Sequence, residues 1–276
     1  MHISKKNRIF APENRSIVNN MYALVTGSSS GMGYCYALAL AQRGYDLLMV
    51  SNEEAIHAKA KEVEALYPSC RVLSLVMDLG TASAAKELYD YCTANGIEVE
   101  VLINNAGVYH DRDFLADSPT FNQLIFHLHV VTPAMLTYYF GQDMVARHKG
   151  YILNMSSITD RIAVQRLGTY GSTKAFLSAF TRSVHVELKN KGVYVTAVRP
   201  GAVDTGLYSI RSSATKIGKA LGYIVSPEHL VRRALRALFR GRASVTVPCV
   251  WNGILLFFVA LIPTSLLRLI RRWNLF

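Results

Sequence analysis

Short apolar runs alternate with helix-patterned stretches along most of the chain, and this rhythm restricts the fold more than any single motif. The runs are Met21 to Thr26, Tyr45 to Val50, Arg71 to Val76, Val99 to Ile103, Tyr151 to Met155 and Val193 to Val198. Between them lie helical patterns from about Tyr34 to Arg43, Glu53 to Tyr67, Ala82 to Asn95, Ser118 to Arg147 and Arg166 to Asn190. Ser226-Pro227-Glu228, an N-cap followed by proline at the first helical position, opens a last helix to about Arg240. Strands separated by helices of about 10–15 residues build right-handed βαβ units, hence a doubly wound parallel sheet covered on both faces. Ligands of such a sheet bind beyond the carboxyl ends of its strands, where Gly27, Asp78 and Asn104 fall.

A chain of 276 residues, 51% hydrophobic, suits one large core with an extension. The division expected is a flexible basic arm over 1–20, one α/β domain over 21–248 and an apolar extension over 249–276. The arm carries Lys5, Lys6, Arg8 and Arg15 and lacks the apolar run of a signal peptide. A net charge of +11 draws anions: a phosphate-bearing cofactor, an acidic substrate or an anionic membrane. Nucleic acid is not an expected partner, because no basic run is interleaved with aromatics. Cys35, Cys70, Cys92 and Cys249 form no C-x-x-C pair, so neither a disulfide framework nor a metal site is expected. Reduced thiols in a cytoplasmic protein follow.

Two stretches carry chemistry. Gly27-Ser28-Ser29-Ser30-Gly31-Met32-Gly33 stands between a strand and a helix, where glycines let the backbone approach a pyrophosphate and the helix start presents its N–H groups. Tyr170 and Lys174, four apart, share one helix face. A phenol has a pKa of about 10, which a neighbouring ammonium lowers toward the range of a neutral-pH acid/base. Alone this pair is a common coincidence of helical residues.

The glycine stretch after Thr26, Asn104-Asn105-Ala106-Gly107, Ser157 thirteen residues before Tyr170 with Lys174, and Pro200-Gly201 with Thr205 stand in one order and spacing. Together they resemble the short-chain dehydrogenase/reductases over about residues 21–248, most closely the branch of hydroxysteroid dehydrogenases and long-chain 3-oxoacyl reductases of lipid metabolism. The resemblance implies a Rossmann-type, three-layer single domain in an oxidoreductase that moves a hydride between a nicotinamide and a secondary alcohol or ketone. Tyr170 would be the acid/base, Lys174 would tune it and hold the nicotinamide ribose, and Ser157 would bond the substrate oxygen. The cofactor would lie along Gly27, Ser29, Ser30, Gly31, Met32 and Gly33, with Ser51 and Asn52 at its ribose and Asp78 and Leu79 at its adenine. Asn105, Ala106 and Gly107, then Tyr170 and Lys174, and finally Pro200, Gly201, Val203 and Thr205 would complete the contacts. The family usually forms dimers or tetramers, so a homodimer or homotetramer is expected.

Either NAD(H) or NADP(H) fits this pattern, with a slight lean to NAD(H). The second strand ends in Ser51-Asn52-Glu53-Glu54, which offers no cation to a 2′-phosphate and sets two carboxylates near it.

One position departs from the family. Aligning Val130-Val131-Thr132-Pro133 puts His129 where a catalytic Asn is usual. The Asn carbonyl is thought to hold a water of the proton relay; Pro133 lacks the N–H that would close on the His129 carbonyl, so the relay survives and the imidazole, with a reference pKa near 6.5, could join it. The alternative is a non-enzymatic NAD(P)-binding sensor or scaffold, its turnover lost through His129.

Val250 to Leu267 is almost uncharged, broken by Pro263 and followed by Arg268, Arg271, Arg272 and Trp273. It could cover the substrate pocket or a subunit interface, or lie in a membrane interface through residues 250–273. A full span is the poorest fit, since spanning takes about 20 apolar residues. With Leu207, Tyr208, Ile210 and Tyr223 it points to a hydrophobic, steroid-like or fatty-acyl-like substrate.

Overall fold

The computed structural model describes residues 21–109, 111–161, 166–204 and 224–248. The basic arm, Thr205, Leu207, Tyr208, Ile210, Tyr223 and the extension over 249–276 lie outside the described residues, and so do the expectations placed on them.

All six expected strands form: β1 (Tyr22–Thr26), β2 (Asp46–Ser51), β3 (Val72–Val76), β4 (Val99–Asn104), β5 (Gly150–Met155) and β6 (Val193–Pro200). A seventh, β7 (Ser244–Val247), was not expected; four residues are too few to show an alternation. The sheet order is β3-β2-β1-β4-β5-β6-β7, and every neighbouring pair is parallel. The strand order reverses between β1 and β4, which opens the crevice in which a doubly wound sheet binds its ligand.

Side chains alternate between the two faces, as a strand's period of two requires. Val25, Met49, Ile103 and Leu153 pack on one side with Tyr36 and Leu40 of α1 (Gly31–Ala41), Ile56 and Val63 of α2 (Ala55–Leu66), and Leu230 and Leu235 of α7 (Pro227–Phe239). Leu24, Leu48, Leu102 and Ile152 pack on the other with Leu88 of α3 (Ala84–Ala94) and with Leu136 and Phe140 of α5 (Thr132–Ala146). Val184 and Leu188 of α6 (Gly168–Leu188) close that layer.

The long helix expected from Ser118 to Arg147 is interrupted. Ser118 caps α4 (Pro119–Phe126) by accepting the Phe121 N–H at 3.1 Å. Residues His127–Val131 then widen to an i→i+5 turn, with the Thr132 N–H reaching the His127 carbonyl, before α5 begins. Pro133, second in α5, cannot donate the backbone bond a regular helix would need there.

Candidate active site

The glycine turn and the loop after β4 form one hydrogen-bonded unit. Thr26 Oγ1 accepts the N–H groups of Asn105 and Ala106, both at 3.0 Å. Asn105 Nδ2 donates back to the carbonyls of Thr26 (3.0 Å) and Gly27 (3.1 Å). Gly27 has φ +64°, and a Cβ there would stand 2.8 Å from Ala106 Cα; a Cβ on Gly33 would run into the Gly27 carbonyl. These contacts leave room for glycine only.

α1 starts at Gly31 with no side-chain cap from Ser30 and no acidic residue in its first turn. Its first N–H groups are therefore left for an anion, which fits the pyrophosphate of a dinucleotide. Beside it, Ser51 Oγ donates to Ser29 Oγ at 3.0 Å and accepts the Glu53 N–H at 3.3 Å, with exposed Asn52 next in the chain. Asp78, exposed past β3, accepts the Gly80 N–H at 2.8 Å, and the Leu79 carbonyl accepts from Thr132 Oγ1 at 2.8 Å.

The lean toward NAD(H) is not supported by this geometry. Glu53 and Glu54 lie beyond the strand end and are exposed, and the Glu54 side chain, 85% accessible, stands 3.6 Å from His57. The strand end itself offers hydroxyls, which do not repel a phosphate.

Ser157, Tyr170 and Lys174 line a single cleft with Met32, Asn105, Gly107, Pro200, Gly201 and Val203. The expected pair on α6 is thus brought to the serine past β5 and to Met32 of the glycine stretch. Lys174 Nζ donates to the Met155 carbonyl at 2.9 Å and lies 5.6 Å from the centre of the Tyr170 ring. Burial pulls the Lys174 ammonium down from its ordinary value to about 8. Ser157 Oγ accepts the Thr159 N–H at 3.2 Å, a bond that does not use its own O–H proton. Tyr109, not anticipated, sets its ring edge-on to Tyr170 at 5.4 Å.

His129 is 1% exposed and both ring nitrogens are bonded. Nε2 accepts the Val108 N–H at 3.0 Å, so the proton sits on Nδ1, which faces Thr173 Oγ1 at 3.2 Å. Thr173 in turn donates to the Tyr170 carbonyl at 2.7 Å. Burial, then the Lys174 charge, holds the imidazole well below its ordinary pKa, so it is neutral near pH 7. Behind Lys174 a cavity of about 10 Å³, lined by Thr26, Asn104, His129 and Pro133 among others, has the space of one water. Asn104 Oδ1 is buried at its wall and has no partner among the described residues.

Sequence reasoning missed the supporting groups. Thr26 was visible as a strand-end hydroxyl before the glycines, but Val108 and Met155 act through main-chain atoms, which no residue type betrays. Asp160, Ser178 and Ser156 form a further chain under α6: Ser178 Oγ donates to Asp160 Oδ2 at 2.5 Å and lies 2.8 Å from Ser156 Oγ. Among the described residues no group of three His, Cys, Asp or Glu could hold a metal, and no helix is long and apolar enough to cross a membrane.

The family profile for short chain dehydrogenases matches residues 21–215. A very-long-chain 3-oxoacyl-CoA reductase from Anas platyrhynchos is 30% identical over 251 residues, covering 88% of this chain and 76% of its own length. The bulky-bulky ketone specific alcohol dehydrogenase from Comamonas testosteroni superposes with a TM-score of 0.74 at 25% identity, over 86% of this chain and 91% of its own. A short-chain dehydrogenase from Sphingobium yanoikuyae, solved with NADPH, also gives a TM-score of 0.74, at 24% identity over 88% and 96% of the two chains. The chain belongs to the short chain dehydrogenase family, oxidoreductases that work with a nicotinamide cofactor.

Proposed function

We propose that the protein interconverts a ketone and a secondary alcohol on a hydrophobic substrate, with a fatty-acyl chain favoured over a steroid. The observation that carries the reading is the convergence of Ser157, Tyr170 and Lys174 on one cleft that Met32 of the glycine stretch also lines. The fatty-acyl preference draws on the likeness to very-long-chain 3-oxoacyl-CoA reductases.

In this reading the cofactor, NADH or NADPH, supplies the hydride when bound. Gly27, Ser29, Ser30, Gly31, Met32 and Gly33 hold its pyrophosphate side, Ser51 and Asn52 its adenosine ribose, and Asp78 and Leu79 its base. Asn105, Ala106, Gly107, Pro200, Gly201, Val203 and Thr205 hold the remainder. Ser157 O–H donates to the substrate oxygen and Tyr170 O–H delivers its proton to the same atom. The Lys174 ammonium stabilises the charge left on the Tyr170 oxygen. His129 acts by position: its imidazole has no proton to exchange without breaking the Val108 or Thr173 bond, and a water behind Lys174, donating to Asn104 Oδ1 and to the His129 carbonyl and accepting from the Lys174 ammonium, passes on the proton that Lys174 relays. This bonding gives no support to a sensor that lost turnover through His129.

We place the protein on the cytoplasmic side as an oligomer, touching a membrane through residues 250–273. Tyr138 on α5 and Phe176 and Val186 on α6, 54%, 41% and 75% exposed, give two adjacent helices an apolar outer face suited to a second copy.

Oxidation of NADPH and NADH with a panel of 3-oxoacyl thioesters and steroid ketones tests the reading, with Tyr170→Phe as control. Turnover on the acyl thioesters, lost in the control, is expected. Cofactor binding without turnover on any ketone would overturn it.

A further inference from the structure

Beyond Glu228 in its first turn, every charged residue of α7 and of its C-cap Arg240 is cationic and lies on the outer face. At 100° per residue His229, Arg232, Arg233, Arg236 and Arg240 fall within an arc of about 100°, while Leu230, Val231, Ala234, Leu235 and Leu238 fill the buried side. Arg233, Arg236 and Arg240 are exposed, and Arg232 is partly so. Arg232 and Arg236, and Arg236 and Arg240, stand one turn apart, an arrangement in which like charges work against the helix. The histidine in this arc is kept below its ordinary pKa by burial, then by Arg232 and Arg233.

Ordinary solvated helices of this protein are built differently. On α2 Lys59 meets Glu62 at 2.9 Å, and on α3 Lys86 meets Asp90 at 2.6 Å. Among the described residues no carboxylate stands within ion-pair distance of Arg232, Arg233, Arg236 or Arg240. All four cations are arginines, whose planar fork matches the oxygens of a phosphate. A short distance on, the chain passes through β7 at the sheet edge and enters the apolar stretch Val250 to Leu267, itself followed by Arg268, Arg271 and Arg272. A cationic helix face and an apolar stretch in succession match the two layers of a bilayer surface, headgroup and acyl chain.

We propose that the arginine face of α7 docks the protein on the phosphate headgroups of an anionic lipid bilayer. This deepens the membrane reading of residues 250–273, and substitution of the α7 arginines alone separates the two. The full chain is sedimented with vesicles of phosphatidylcholine alone and of phosphatidylcholine mixed with phosphatidylserine, at low and high salt. Binding to the mixed vesicles is expected to exceed binding to the neutral ones by on the order of 100-fold at low salt, and the excess to shrink as salt screens it. In the full chain bearing Arg232→Gln, Arg233→Gln, Arg236→Gln and Arg240→Gln the excess falls by at least about tenfold, the remainder being what Arg268, Arg271, Arg272 and the basic arm contribute.

Equal binding of the unaltered chain to both vesicles, or an excess undiminished in the substituted chain, overturns the proposal. Capture by duplex DNA in place of the mixed vesicles does the same. Should the fourfold variant not fold, a polarity-sensitive probe on Arg236→Cys reports directly. Its emission shifts on the mixed vesicles while that of a probe on Lys61→Cys of α2 does not, and no shift at position 236 sinks the idea.

Discussion

His129 Nε2 lies 3.0 Å from the main-chain nitrogen of Val108, and this one bond ties the loop after β4 to the helical segment that faces α6. Because an N–H already points at Nε2, a proton cannot be added there without setting two donors against each other. Through Nδ1 and Thr173 the same ring reaches the carbonyl of Tyr170.

Replacing His129 therefore tests a positioning role. His129→Asn keeps an acceptor within reach of Val108 and is expected to hold kcat within about tenfold of the unaltered chain. His129→Leu strands the half-buried Val108 N–H, at a cost of up to about 1–3 kcal/mol, or roughly 2–4 °C in Tm per kcal/mol. The folded imidazole stays neutral well below pH 6.5 while the unfolded one takes up a proton. The unfolded state then binds more protons, so stability falls as pH drops below about 6.5, by at most about 1.4 kcal/mol per pH unit. Thermal unfolding from neutral to mildly acidic pH should show this slope, and His129→Asn should lack it.

Asn105 is expected to matter to cofactor affinity without touching the substrate. Its amide holds the Thr26 and Gly27 carbonyls, so Asn105→Ala frees the glycine turn to wander. Cofactor Kd should rise about tenfold, equivalent to about 1.4 kcal/mol, with the fold intact. Fluorescence titration with NADPH and NADH measures it, and also settles which dinucleotide binds tighter.

The sheet and its helices were legible because strand and helix periods are written in side chains: Leu24 and Val25, or Leu102 and Ile103, alternate between two cores. The glycine turn and the Ser157, Tyr170, Lys174 set were legible as residue types at fixed spacing. Three things were not. The widened turn at His127–Val131 depends on a backbone bond that Pro133 cannot make, and Pro133 alone does not say whether the helix kinks, stops or widens. β7 is too short to show a period. The lean toward NAD(H) counted the carboxylates of Glu53 and Glu54 by nearness in sequence, whereas both lie past the strand end and are exposed.

A buried chain under α6, which reaches the cleft wall only through Ser156, predicts a stability effect. The Asp160 side chain is 1% exposed; its Oδ2 accepts from Ser178, and Arg199 stands 3.7 Å away. Ser178→Ala takes away the close donor and leaves a buried carboxylate oxygen short of a partner, for a loss of about 1–3 kcal/mol. A Tm lowered by a few degrees with unaltered cofactor Kd is the expected result; a Tm unchanged would mean that the carboxylate is satisfied without Ser178.

Lys174 makes a prediction in which activity and stability move in opposite directions. Burial sets its folded pKa at about 8, against an ordinary value of 10.5. Below pH 8 the ammonium is charged in both states, and its desolvation burdens the folded one. Between about 8 and 10.5 the folded state has released the proton and the unfolded state has not, so the burden is lifted as pH rises. The span of 2.5 units at about 1.36 kcal/mol each allows roughly 3 kcal/mol at most. Over the same window the charge that would stabilise the Tyr170 oxygen is lost, so kcat/KM for ketone reduction should fall about tenfold per pH unit above pH 8. Comparing the unaltered chain with Lys174→Met isolates the lysine from the other alkaline groups. The unaltered chain should gain stability relative to the variant between pH 8 and 10 while its own turnover declines; parallel losses of both would mean that the alkaline limb is unfolding, not titration of Lys174.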